Sequence, residues 1–311
     1  MRHALARTAL LVVCAVTLVG CGLRLETSDV APPSPGPAEL ARARTVVDAQ
    51  TLVYAASALA PAADETLSPV LADIAAFSTA HVDALGGVYD SGLPTSTPPP
   101  DPTPLPVPSS SELLDQLAAA TTTAATDTDQ VDDPDLAQVL GSVTTARGEL
   151  TARLAEALGV ETPSTAPAPP PSDSSDPVVA TGLALAHDQA GYAFEVVAAR
   201  APTGSDLRTA AQTAAEHHRA QATVWARTGG FDGTVDDPRR AQYQLPDDLD
   251  DPTTVGTLAV ELEQAVAQAA AAALTDAAPG TRADLLTDLR AATAAATGWG
   301  AAPEPLPGLP S

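Results

Sequence analysis

The stretch Leu183-Ala-Leu-Ala-His187-Asp188-Gln-Ala-Gly-Tyr192-Ala-Phe194-Glu-Val-Val-Ala-Ala-Arg200 decides the fold. Leu183, His187, Ala190, Phe194 and Val197 recur at intervals of three and four, the spacing of one face of an α-helix. The same period continues outward. Leu207, Ala211, Ala214, His218, Ala222 and Trp225 form the next stripe. Val255, Leu258, Leu262, Val266 and Ala269 form another, and Leu285, Leu289, Ala292, Ala296 and Trp299 the last. Upstream, Leu67, Leu71, Ile74, Phe77, His81, Leu85 and Val88 repeat the pattern. Eight helices are predicted, over 38–60, 67–90, 110–126, 134–158, 177–200, 205–228, 253–276 and 282–299. Ser68-Pro69, Asp133-Pro134, Asp176-Pro177 and Asp251-Pro252 each place a capping side chain before a proline suited to the first helical turn. Ser109 with Glu112 reads as a capping box.

Composition supports an all-α chain. The 311 residues are only 3% aromatic, and Ala, Pro, Thr and Asp dominate, which makes poor strands. The formal charge is −24, and all 15 basic residues are Arg. So acidic a surface repels phosphates and excludes nucleic acid as a partner. The regular apolar stripes exclude a wholly disordered chain.

The N-terminus predicts where the chain resides. Arg2 and Arg7 precede an apolar run from Ala9 to Val19, followed by Leu18-Val-Gly-Cys21. A charged start, a short apolar core and a small residue before the cut make an export signal. Leu-Val-Gly-Cys matches a bacterial lipobox, so Cys21 is the expected lipidation site and first mature residue. Residues 1–20 are then a lipoprotein signal peptide and 21–37 a Pro-rich tether, with membrane lipid the expected partner through Cys21. Cys14 falls in the discarded segment, so no disulfide is expected. The expected location is the extracytoplasmic face of the cell membrane. Arg in place of Lys, with abundant Ala and Pro, suggests an actinobacterial source.

The helices divide into 38–159 and 176–311, joined by the Pro- and Ser-rich linker 160–175. Aligning His81 with His218 and Tyr54 with Tyr192 relates the halves as a diverged tandem repeat. In each half a long connection, 93–108 or 230–252, separates the second helix from the third. Short, long, short is the connectivity of a ferritin-like four-helix bundle with one crossover. The second half resembles an actinobacterial ferritin-like domain family of unassigned function. The stretch quoted above carries the resemblance, together with Ala215-Glu-His-His-Arg219, Tyr243-Gln-Leu-Pro246 and the ending Pro305-Leu-Pro-Gly-Leu-Pro310. It implies two tandem ferritin-like four-helix bundles. The chain has His187-Asp188 where that family typically has Glu-His, so no ligand set is carried over.

A ferritin-like di-iron centre needs a Glu-x-x-His on each of two helices. The chain has none, and Arg219 stands where Glu216 would require His. No Gly-x-Ser-x-Gly elbow or phosphate loop occurs, and the acidic runs lack a Ca²⁺-loop pattern. No catalytic residue, metal or cofactor is therefore expected. The candidate ligands or buried polar groups are His187, His218, Asp188, Tyr192 and His217. Either His187 and His218 form a small-ligand or single-metal site with Asp188, Glu195 or His217 nearby, or they are buried neutral histidines bonded to Tyr192, a carboxylate or a carbonyl. The second is preferred, because two imidazoles without an inward carboxylate make a poor site. The expected function is a surface-anchored, non-catalytic interaction or ligand-binding module. The alternative is a metal-binding or iron-handling protein using a His-based site.

Overall fold

The computed structural model describes residues 34–88, 107–165 and 177–310. Cys14, Cys21, the Asp176 cap and most of the expected tether and linker lie outside the described residues. All regular structure among the described residues is helical. The helices are α1 (Pro37–Leu59), α2 (Leu67–Ala84), α3 (Ser110–Gln130), α4 (Pro134–Leu158), α5 (Pro177–Arg200), α6 (Asp206–Thr228), α7 (Pro252–Asp276) and α8 (Ala283–Gly298). A 3₁₀ turn, Ala60–Ala62, follows α1.

Local chemistry sets the helix starts. The side chain of Asp133 accepts from the Leu136 amide, and that of Asp251 from the Thr253 and Thr254 amides. Ser109 and Glu112 make both arms of a capping box. Two expectations need correction in α2. It starts at Leu67 with Asp64 accepting from the Thr66 and Leu67 amides, so Ser68 is not the cap. It ends at Ala84 rather than 90, because Gly86 and Gly87 take positive φ of 75° and 77°. Val88 consequently leaves the apolar stripe and is 63% exposed.

Helices α1 to α4 pack as one quartet, with α1 against α2 and α3, and α4 against α2 and α3. Helices α5 to α8 pack as another, with α5 against α6 and α7, and α7 against α8. In the first quartet α1 packs on α3 and α2 on α4, so α2 and α3 stand diagonally across the bundle. Leu52, Leu71, Ile74, Leu113, Leu117, Leu150 and Leu154 fill the core of the first quartet. In the second, Leu183, Phe194, Val266, Leu274 and Leu289 pack among many alanines. Alanine at these seams lets helix axes approach closely.

The quartets share one compact unit, Pro35–Ser311, because α4 packs on α7 and α8. Gly141 permits the contact: a Cβ there would stand 2.3 Å from Leu274 Cδ1. Arg282, 2% exposed, donates to the carbonyls of Leu274 and Ala277 in its own half and of Thr128 and Val131 in the other. The tail after α8 turns back between the quartets. His81 Nε2–H donates to the Pro305 carbonyl at 2.8 Å, and the Ser142 hydroxyl to the Pro307 carbonyl at 2.8 Å. Gly308, with φ 79°, sits where a Cβ would meet Ala271 Cβ at 2.8 Å. No helix among the described residues is long and apolar enough to cross a membrane.

Candidate functional site

Each helix of the second quartet sends one ionisable side chain to the centre. These are His187 from α5, His218 from α6, Glu263 from α7 and Asp288 from α8, with exposures of 2%, 1%, 2% and 7%. Sequence places each on its core face. Glu263 falls beside Leu262 and Val266, and Asp288 between Leu285 and Leu289.

The four groups form a chain. Nδ1 of His187 lies 2.9 Å from Nδ1 of His218. His187 Nε2 is 3.3 Å from Asp288 Oδ2, and His218 Nε2 is 3.1 Å from Glu263 Oε1. Trp225 Nε1–H donates to the same Asp288 oxygen at 2.5 Å. Phe194 stacks on His218, its ring centre 5.6 Å away and tilted 8°, and also on Trp299. Aromatic faces thus flank the imidazoles, and the carboxylates hold their outer nitrogens.

Hydrogen counting defines the chemistry. The two ring–carboxylate contacts and the ring–ring contact each need one hydrogen, whereas two neutral imidazoles bring two. One further proton, shared along the chain, satisfies all three contacts and leaves the four groups with one net negative charge. Without that proton one of the three contacts lacks a hydrogen; in the tautomer where it is the ring–ring contact, two Nδ1 lone pairs face one another, as in carboxylate-backed histidines that hold a metal ion. Among the described residues, no three His, Cys, Asp or Glu side chains stand in an arrangement that would hold a metal ion.

His217 lies on the solvent side of this chain, its ring centre 5.2 Å from that of His218 and 6.3 Å from that of His187. Desolvation, then the neighbouring His218 and His187, holds its imidazole below the ordinary histidine value. Asp188 and Tyr192 belong elsewhere. Asp188 accepts from the Tyr243 hydroxyl at 2.7 Å, from the Arg240 amide at 3.0 Å and from the Arg219 guanidinium. Arg219 also grips Glu195 with two bonds of 2.9 and 2.8 Å. Tyr192 packs against Tyr243, ring centres 5.8 Å apart. Burial, followed by the bond to Asp188, raises the Tyr243 hydroxyl above its usual range. This second cluster ties the α6–α7 connection to α5 and does not touch the histidine pair.

Of the candidates read from sequence, the structure brings His187 and His218 together with His217 beside them, and places Asp188 and Tyr192 in the second cluster. Sequence reasoning misses Glu263, Asp288 and Trp225. The missing signal was present: a lone acidic residue inside an apolar stripe on α7 and another on α8. A search restricted to Glu-x-x-His passes over both.

The centre of the first quartet has different contents. Arg147, with no exposed surface, donates to the carbonyls of Ala120 at 3.2 Å and Thr45 at 3.0 Å. Burial lowers its pKa to about 10. His81 is also fully buried, and desolvation, then Arg147, pushes it down to about 3.

Residues 178–311 match a domain of unknown function, DUF4439. The match spans the whole second quartet from the second residue of α5, including the tail that reaches His81. Comparison with curated proteins and with solved structures gave no match.

Proposed function

We propose that the chain is a lipid-anchored, extracytoplasmic protein whose two ferritin-like four-helix bundles serve as a non-catalytic ligand-binding module. One observation carries the non-catalytic reading: the four central ionisable groups of the second quartet are bound to one another. A di-iron bundle spends its inward carboxylates and imidazoles on metal. Here Glu263 and Asp288 hold the outer nitrogens of His218 and His187, and Phe194 covers a ring face. The diagonal placement of α2 and α3 in the first quartet supports the ferritin-like connectivity. The lipobox ending at Cys21 supports the anchor.

Metal analysis of protein purified from cells supplied with iron, zinc and copper tests this reading. The expected content is well below one atom per chain. About one equivalent, lost in the His187→Leu/His218→Leu variant, would overturn it. That result would favour the second reading, a single ion bridging the facing Nδ1 atoms in place of the shared proton. Membrane fractionation tests the anchor: Cys21→Ala is expected to abolish detergent-requiring attachment.

A further inference from the structure

Several arginines among the described residues have an obvious counterpart. The exposed Arg44 pairs with Asp127, and the half-buried Arg153 and Arg239 pair with Asp73 and with Asp232 and Asp237 respectively. Arg282 is bonded to four carbonyls. Arg290, on α8, differs. Its Nε and Nη2, which form the fork edge that grips a carboxylate with two parallel bonds, are buried and have no hydrogen-bond partner. Burial alone lowers its pKa, with no carboxylate acting against it. Arg147 Nε and Arg153 Nη1 are also buried without a partner, but among the described residues only Arg290 has both nitrogens of its fork edge bare.

The cleft lies between the quartets. A cavity of about 270 Å³ is lined by Thr145, Gly148, Glu149 and Ala152 of α4, by Thr165, and by Arg290, Thr293 and Ala294 of α8. Its volume lies just below the usual range for ligand sites, which suits only a small molecule. The fork edge packs against Gly148 of α4: a Cβ there would stand 3.7 Å from both Nε and Nη2, in ordinary van der Waals contact. The second orphan is Glu149. Its Oε1 accepts from the Thr297 hydroxyl at 3.0 Å, while Oε2 is buried without a partner. Burial raises this carboxyl above its ordinary value. Arg290 and Glu149 do not pair with each other, so the cavity presents a double donor near one place and an acceptor at another. Buried polar atoms without partners cost about 1–3 kcal/mol each, more when charged, and a ligand that satisfies both recovers that cost.

We infer that this inter-quartet cavity binds a small amino or hydroxy acid, its carboxylate on the Arg290 fork and its amino or hydroxyl hydrogen donated to Glu149. The assignment rests on the ligand-binding reading above and names its site. A cavity of similar volume beside the C-terminal tail, about 290 Å³, holds no such unpaired buried charge. Access requires the Arg290 side chain to turn its covered edge toward the cavity, and no hydrogen bond of Nε or Nη2 opposes that turn.

Calorimetric titration of the purified full-length chain with L-alanine, L-lactate, acetate and inorganic phosphate tests the inference. Alanine or lactate should saturate one site with Kd of about 1 mM or tighter, and acetate should bind more weakly. Arg290→Lys, which keeps the charge but not the fork, should weaken binding about tenfold or more. Glu149→Gln should reduce alanine and lactate to the affinity of acetate. Thermal melting of each variant confirms that it is folded, and Arg290→Gln, with the same expected weakening, serves if the lysine variant is not. No saturation by any carboxylate, unchanged affinity in Arg290→Lys, or tighter binding of phosphate than of all three carboxylates would overturn the assignment. The metal analysis is independent, so failure here leaves the non-catalytic reading standing, and failure there leaves this site standing.

Discussion

The two quartets have similar helix packing and dissimilar centres. In the second, four ionisable groups from four helices complete one another. In the first, Arg147 has only carbonyl partners, and His81 spends its donor on the Pro305 carbonyl of the tail from the other half. Its neighbourhood keeps further orphans, the Ser78 and Thr144 hydroxyls and His81 Nδ1. Apart from Glu263 Oε2, which is buried without a partner, the second centre is self-sufficient, and the first leans on its neighbour. The family match covers residues 178–311, the half that holds the second centre. A polar core bonded from within needs no partner domain, whereas one bonded from outside does.

The largest expected effect breaks the self-sufficient centre. Asp288→Ala leaves His187 Nε2 and the Trp225 indole N–H without their buried acceptor. Removing one member of a buried charged network costs about 3–5 kcal/mol, and urea unfolding should register it. Replacing His187, His218, Glu263 and Asp288 together by leucine, and Trp225 by phenylalanine, should cost far less, because no orphan of this network remains.

A second measurement addresses dependence. Residues 177–311 expressed alone should keep helical circular dichroism, whereas residues 35–165 should melt earlier or lose helix, because their fragment lacks the acceptors of His81 and Ser142. Equal stability of the two fragments would remove the contrast. Truncation before Pro305 should cost the whole chain about 2 kcal/mol, from two hydrogen bonds at about 1 kcal/mol each.

Acid sharpens the same contrast. His81 has its pKa pushed down to about 3 in the folded chain, against about 6.5 unfolded. The unfolded chain thus binds the proton first as pH falls below about 6.5, and stability drops until pH reaches the folded value. The slope from this one group is about 1.4 kcal/mol per pH unit well inside that window. His81→Gln should flatten the pH dependence of unfolding between those limits, compared with the parent chain. An effect comparable to that of the truncation is expected at the seam. Gly141→Ala forces Leu274 aside and should cost about 1–3 kcal/mol.

The helices were legible because their stripes and caps are local. Helices α4 and α5 begin and end where periodicity and the Asp-Pro signals put them. The end of α2 was not, because Leu85 and Val88 extend the apolar period past the turn that Gly86 and Gly87 impose. Of the site, the histidines were legible as polar residues on core faces. Their carboxylates were not, since an acidic residue within an apolar run looks like a solvated position until a partner on another helix is known. The contacts of the tail and of Arg282 depend on how two halves meet, which no helical period encodes.

The central claim is that a shared proton, and not a metal ion, joins His187 to His218. Nitrogen-15 NMR on histidine-labelled protein reads this directly. A hydrogen between the two Nδ1 atoms, 2.9 Å apart, transmits a scalar coupling from one nitrogen to the other, and that coupling is the predicted result. Its absence, together with imidazole shifts that move when a chelator strips a bound metal ion, would contradict the account.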